Sequence, residues 1–377
     1  MSDTTMSPAT AAPVVNPLPP GGQSPFVHHG RTRELLGICA VNLLLKVVTL
    51  GAYHFWGKSR VRRYVWSHTL FAGEAFEYTG RGKELALGYA VAMLVLVPLI
   101  VLLNLLPLLA ERAPWLVIAV SLGVYPLFAF LAGVGMFGAR RYLLSRTRWR
   151  SIRFALTGRA RAHGGLTLLY GLLSMITFGL YVPFMRNRLA AHLIGNAWFG
   201  SERFRYDGAD DVLLHRYLRA GALMVGVLVA WVALLALGMP LLAGFLRGAQ
   251  AERLGALLPA VIGVVVMLLV FPAMGGAWLW YRAGELRHFV AHTRLGDARF
   301  ALELSNRRYI WLYLSNLGAL VGTLGLAYPW VVVRTARTLT THLRMDGVLE
   351  LGAIEQSSIP TPRTGEGLFD ALDLGSI

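Results

Sequence analysis

Long apolar runs and short polar segments alternate along this chain. Four runs, Leu85–Leu109, Trp115–Ala139, Leu218–Leu246 and Leu254–Tyr281, carry almost no charge. Each exceeds the roughly 20 residues that a helix needs to cross the hydrocarbon of a bilayer. They predict four transmembrane helices in two tight pairs. Three further segments, Leu35–Trp56, Gly164–Phe184 and Ile310–Val333, are also long enough to span, but each contains a glycine- and aromatic-rich string. Glycine frees the backbone at that point, and Pro183 and Pro329 remove an amide donor, so each segment has a place to turn back.

The pattern recurs. Phe26, Phe154 and Phe300 each stand 23 residues before a threonine, Thr49, Thr177 and Thr323. Each threonine opens a related string: Thr49-Leu50-Gly51-Ala52-Tyr53, Thr177-Phe178-Gly179-Leu180-Tyr181 and Thr323-Leu324-Gly325-Leu326-Ala327. The first two copies align without a gap at an offset of 128 residues, and the third follows at 146 and stops early. Repetition at this scale predicts architecture before any residue is argued. It divides the chain into a tail (residues 1–25), a first repeat (26–153), a second (154–299), a truncated third (300–352) and a second tail (353–377). Gly51, Gly179 and Gly325 are the expected turn glycines.

The polar segments hold a smaller motif. Thr69, Thr147, Ala197, Thr293 and Thr341 stand seven positions before Phe76, Phe154, Phe204, Phe300 and Val348. In four of the five the pairs Gly73-Glu74, Gly200-Ser201, Gly296-Asp297 and Asp346-Gly347 lie between them. Short strands around such turns read as β-hairpins. Lone hairpins are marginal in water, so these are expected to pair with one another, or with the Phe26 strand, in a small sheet against the membrane face.

Composition agrees: the chain is 55% hydrophobic and 15% charged, against about 25% charged in ordinary soluble domains. The single cysteine, Cys39, excludes an intrachain disulfide. The first 25 residues lack the basic and apolar blocks of a signal peptide and read, like the last ones, as a flexible tail. The net charge is +16, and its distribution bears on topology. If the three shorter segments crossed, basic residues would divide evenly between the two sides, against the expected bias toward the cytoplasm. If they do not cross, only Arg112, Arg247 and Arg253 remain on the far side. The expectation is therefore a mainly α integral membrane protein with four transmembrane helices, three re-entrant or interfacial segments, cytoplasmic β-hairpins and cytoplasmic termini.

Few residues suggest chemistry. Arg60, Arg188 and Arg334 occupy one place in the three copies, and Arg63 and Arg337 share another. A repeated basic register suits anionic lipid headgroups or a phosphate-bearing ligand, although basic flanks also serve as plain topological anchors. Lys46 and Asn42 lie within the first segment, and Asn316 matches Asn42 in the third. An intramembrane charge is a functional candidate, while snorkelling and helix–helix hydrogen bonding are the plainer accounts. His288 and His292, with Glu285 nearby, make a weak metal pattern. Hydrolase, Walker-type and dinucleotide signatures are absent, and the arginines flank membrane segments rather than forming a nucleic-acid face. No catalytic residue, cofactor or metal is expected, and no nucleic-acid partner; the oligomeric state stays open.

The sequence Phe-x-x-x-Gly, an apolar stretch, Thr-Leu-Gly-x-Tyr-x-x-Trp, a basic run and Gly-x-x-Phe-x-Tyr-x-Gly resembles the YjgN family of bacterial inner-membrane proteins, a domain of unknown function. The resemblance covers roughly residues 26–352; Ala327 and Leu304 depart from it in the third copy. It implies a multi-pass inner-membrane location and no established substrate. Two functions are carried forward: handling of lipid or a small solute, and a non-catalytic scaffold or sensor that binds anionic lipid or protein partners through its basic hairpins.

Overall fold

The structure, a computed structural model, describes residues 24–245, 261–347, 354–356 and 359. The first expected tail lies outside the described residues up to residue 23, as do most of the second, Val348, and the loop with Arg247 and Arg253.

Ten short strands form one antiparallel sheet in chain order: β1 (Phe26–His28), β2 (Thr69–Phe71), β3 (Glu74–Tyr78), β4 (Thr147–Trp149), β5 (Ile152–Leu156), β6 (Ala197–Phe199), β7 (Glu202–Tyr206), β8 (Thr293–Leu295), β9 (Ala298–Leu302) and β10 (Leu343–Asp346). Alternate connections differ in kind. Two-residue turns join β2 to β3, β4 to β5, β6 to β7 and β8 to β9. Pairs of helices make the other links, between strands paired at His28↔Thr69, Tyr78↔Thr147, Leu156↔Ala197, Tyr206↔Thr293 and Leu302↔Leu343. All helices therefore leave the sheet at one end, and all tight turns lie at the other.

Two turns differ from the expected ones. The first is Ala72-Gly73, one residue early, and the second is Arg150-Ser151, with neither glycine nor aspartate. Both place two residues at positive φ (49° and 84°, 50° and 62°), the backbone whose twist matches that of paired strands. Asp346-Gly347 does not link two strands among the described residues; β10 instead pairs back onto β9.

The sheet curls almost into a barrel. Phe71, Trp149, Phe199, Leu295 and Ala298 are buried together, with Phe26, Phe76, Phe154, Phe204, Phe300 and Met345 packed against them. Residues of the first and last strands thus share one core. Just before β1, the Ser24 hydroxyl donates to the carbonyl of Leu343, where β10 begins, at 2.5 Å. Trp149 fixes the centre by donating from Nε1 to the carbonyls of Phe71 and Glu74 at 3.2 and 3.1 Å. Ile354 joins the same core from the C-terminal side.

The helices are α1 (Thr32–Val48), α2 (His54–Ser67), α3 (Gly82–Leu105), α4 (Pro114–Ser145), α5 (Ala160–Ile176), α6 (Val182–Ile194), α7 (Asp211–Phe245), α8 (Val261–Ala291, with a π-helical turn at Val266–Val270), α9 (Asn306–Gly322) and α10 (Tyr328–His342). Among the described residues, four stretches are long and apolar enough to cross a membrane: Gly82–Leu109, Pro114–Ser145, Asp211–Gly238 and Val261–Ala291. They bury side chains mainly near the sheet; on α3 the buried residues are Gly82, Leu85 and Gly88 alone. Beyond that base their apolar faces are open, as expected of surfaces solvated by acyl chains rather than by water.

Threonine ends several of these helices. The hydroxyls of Thr69, Thr147 and Thr293 donate to the carbonyls of Val65, Leu143 and Phe289 at 2.7–2.9 Å. Each satisfies one carbonyl of the last helical turn at the residue where the strand begins. Neighbouring helical pairs pack around the sheet in sequence, α2 on α3, α4 on α5, α6 on α7 and α8 on α9, and α10 closes the ring against α1 and β1.

Candidate functional site

The helical pairs α1–α2, α5–α6 and α9–α10 carry the residues singled out by the sequence. Each pair turns over the same three residues. Thr49, Thr177 and Thr323 donate to the carbonyls of Leu45, Leu173 and Ala319 at 2.7–2.8 Å. They also accept from the backbone N–H of Tyr53, Tyr181 and Ala327 at 2.9–3.1 Å. One hydroxyl thus closes the outgoing helix and caps the returning one, which is why threonine opens each string. Leu50, Phe178 and Leu324 follow with φ of 48°, 49° and 50°, then Gly51, Gly179 and Gly325 with φ of 93°, 87° and 88°. A left-handed non-glycine residue costs about 1–2 kcal/mol. All three of these apolar residues are at least 94% exposed.

Below each tip the matching arginine reaches back to the matching position of the outgoing helix. Arg60 donates to Asn42 Oδ1 and to the Tyr53 hydroxyl, both at 3.3 Å. Arg334 donates to Asn316 Oδ1 at 3.0 Å and to the Ser315 hydroxyl at 2.6 Å, and lies over the Trp330 ring. Arg188 lies 5.8 Å from the centre of the Tyr170 ring, the residue that replaces asparagine in that pair, and contacts Asp210 at 3.3 Å. Asn42 and Asn316 also hold the returning helix, through the Gly57 carbonyl at 3.3 Å and the Thr335 hydroxyl at 3.0 Å. Arg63 and Arg337 turn instead to backbone carbonyls, those of Gly80 at 3.4 Å and Gly30 at 3.0 Å. Lys46 joins none of these groups; it is exposed in the last turn of α1.

Beside the first pair lies a cleft of about 330 Å³, lined by Tyr53, Trp56, Ser59, Arg60, Arg63, Arg81, Gly82 and Lys83. It sits between α2 and the start of α3. Four of the eight lining residues are cationic and none is acidic.

A buried acidic centre is the feature that sequence reasoning missed. Glu285, 1% exposed on α8, accepts from Arg186, Arg282 and Tyr281. The apolar run stops at Tyr281, so Glu285 reads as lying past it, yet α8 continues to Ala291. The available signal was a carboxylate one turn beyond an apolar run in an arginine-rich chain. The rings of His288 and His292 lie 4.2 Å apart, centre to centre, and tilted by 41°, while the Glu285 carboxylate is engaged by the two arginines. At the sheet, burial pushes the Tyr206 hydroxyl pKa up, with Asp210, Asp207 and Glu285 adding to the effect. Burial pulls His28 down to about 4, helped by His68 and Arg337, and pulls His163 down to about 4 beside His192.

Known proteins are similar to this sequence. The profile of one family, described as bacterial protein of unknown function (DUF898), matches residues 23–371. The inner membrane protein YjgN of Escherichia coli O157:H7 is 26% identical over 154 residues, which cover 41% of this chain and 36% of that protein. Its counterpart in Escherichia coli K12 is 38% identical over 53 residues, or 14% of this chain and 13% of that protein. The chain thus matches little more than a third of the length of the first of these curated relatives and 13% of the second. No solved structure matches the chain. With the family profile extending over nearly its whole length, the chain belongs to the DUF898 family of bacterial proteins, whose function is unknown.

Proposed function

We propose that this is a multi-pass protein of the bacterial inner membrane that handles lipid, with α1–α2, α5–α6 and α9–α10 dipping into the cytoplasmic leaflet as re-entrant pairs. The exposed tips carry this reading: Leu50, Phe178 and Leu324 are apolar, nearly bare and held in the same uncommon backbone. In water three such tips are a liability, whereas in acyl chains they are solvated. The sheet register supports it too. His28 pairs with Thr69, Leu156 with Ala197 and Leu302 with Leu343. Strands bonded to each other share a side of the membrane, so the helices between them cross an even number of times, and four crossings are left to α3, α4, α7 and α8. The repeats then run parallel, and the arginine-rich base faces the cytoplasm with both termini. The curated relatives are named inner membrane proteins. Arg60, Arg63, Arg188, Arg334 and Arg337 stand where anionic headgroups would meet the base.

The test is native mass spectrometry of the full chain released from nanodiscs, together with flux measurements in vesicles. Specifically retained anionic lipid is the expected result. No retained lipid and no flux would sink the lipid reading and leave the scaffold that binds protein partners. Cysteines placed at Arg150 and Arg205 are expected to label from one side; labelling from opposite sides refutes the re-entrant arrangement.

A further inference from the structure

We infer that the cleft between α2 and α3 is a binding site for a phosphate group, and that the second helical pair shows how its anion position is built. At the 128-residue offset, Ser59 corresponds to Asn187, Arg60 to Arg188, Gly80 to Gly208, Gly82 to Asp210 and Lys83 to Asp211. In the second pair the protein supplies its own anion. Asp210 accepts from Asn187 Nδ2 at 2.6 Å and from Arg188 Nε at 3.3 Å. In the first pair that carboxylate is missing. Gly82 takes its place because the helices meet too closely for a side chain; a Cβ there would stand 2.7 Å from the Trp56 Cα.

The groups that would face an anion remain. The Ser59 hydroxyl is unpartnered, although its residue is only 3% exposed, and it lines the cleft. Arg60, Arg63, Arg81 and Lys83 line it too, and among the described residues none of them is ion-paired. The nearby carboxylate, Glu84, is committed to Arg146 at 2.8 Å and to the Tyr142 hydroxyl at 3.0 Å. The start of α3, a helix of 24 residues, adds the positive end of its dipole. Tyr53 and Trp56 are side chains of the kind that favour headgroup depth. A phosphate monoester or diester, with several acceptor oxygens for a spread of cationic donors, suits this lining better than a single carboxylate. The third pair offers no such place, since Val333 stands where Ser59 does and is buried. This inference rests on the lipid reading only for the source of the phosphate.

The test uses the full chain in nanodiscs of phosphatidylcholine doped with phosphatidylglycerol. Native mass spectrometry counts retained phosphatidylglycerol, and a thermal-shift titration with inorganic pyrophosphate probes a soluble source. Losing two charge-assisted contacts in Arg81→Gln/Lys83→Gln is expected to weaken retention about tenfold or more. Lys83→Asp, which returns a carboxylate to the cleft, is expected to act likewise; both positions are exposed, so the fold should keep its circular dichroism. Ser59→Ala removes one hydroxyl that has no partner to lose, and is expected to weaken binding by about threefold. Pyrophosphate stabilisation that these variants abolish assigns a soluble phosphate, and phosphatidylglycerol retention without it assigns a lipid. Identical responses in wild type and all three variants overturn the inference. If retention instead fails in Arg188→Gln or Arg334→Gln alone, the cleft is refuted and the lipid reading stands. No response from wild type to either probe refutes both.

Discussion

Replacing Glu285 by glutamine should loosen the seam between α6 and α8. The carboxylate is buried and draws on two arginines, Arg186 across the seam and Arg282 one turn away on its own helix. Removing one member of a buried ion pair costs about 3–5 kcal/mol, because a charge is left uncompensated. Here the arginine side chains keep 30% and 29% of their exposure, so water relieves part of that cost and about 2–3 kcal/mol is expected. Glutamine preserves volume and one acceptor oxygen, which separates charge from packing. Arg186→Gln should cost less, about 1 kcal/mol, since Arg282 still neutralises Glu285. The double variant should fall short of the sum by about 1–2 kcal/mol, the signature of directly coupled groups. Equilibrium unfolding of the four proteins in mixed micelles, followed by tryptophan fluorescence, measures the cycle. Additive effects, or a Glu285→Gln variant within about 0.5 kcal/mol of wild type, would show that the buried charge holds nothing.

Thr177→Val removes the hydroxyl that closes α5 and caps α6, so it should cost about 1 kcal/mol, and with Thr49→Val and Thr323→Val about three times that in the same unfolding assay. Trp149→Ala empties the centre of the sheet and strips the Phe71 and Glu74 carbonyls of their donor; a loss of about 3–5 kcal/mol, or failure to fold, is expected, and unchanged unfolding would contradict the shared core. His28 is held neutral down to about pH 4, against 6.5 when unfolded. The unfolded chain therefore takes up the proton first as pH falls. Stability from this group is complete above about 6.5 and declines toward pH 4, and His28→Asn should flatten that slope in a pH series of melts.

What could be read from the chain depends on how local each signal is. The four nearly uncharged runs admit one reading, and they are the four long helices among the described residues. The end of α8 was hidden because Glu285 and the arginines interrupt hydropathy without interrupting the helix. The threonines were visible as markers, but their reason was not: a hydroxyl that bonds the carbonyl four residues back is a helix ending, and the strand starts there by consequence. The Arg150-Ser151 turn has neither glycine nor aspartate, and its shape is imposed by the register of Arg148 with Arg153. Strands of three residues show no alternation, so the near-closure of the sheet, with Phe26 and Phe300 in one core, could not be read from periodicity. Arg186 and Glu285 are 99 residues apart, a distance no motif spans. The basic cleft escaped notice for the opposite reason, since it is defined by a carboxylate that the first copy lacks.

In the proposed arrangement two independent rulers give the depth of the tips. The 32 residues of α4 rise about 48 Å and the 17 of α1 about 25 Å. From a common base, a short tip then stops about 23 Å below the far loop, and a hydrocarbon layer of about 30 Å leaves it roughly 7 Å inside the near face. The second ruler runs the other way. Arg60 follows Tyr53, the last residue before α2, by seven positions, or about 10 Å along the helix. A guanidinium at the headgroup boundary then puts the tip about 10 Å deep. The two values agree within one helical turn, although one uses the far side of the membrane and the other the near side. At that depth Leu50, Phe178 and Leu324 meet acyl chains while Arg60, Arg188 and Arg334 meet phosphates, so a single lipid can touch both ends of one short pair.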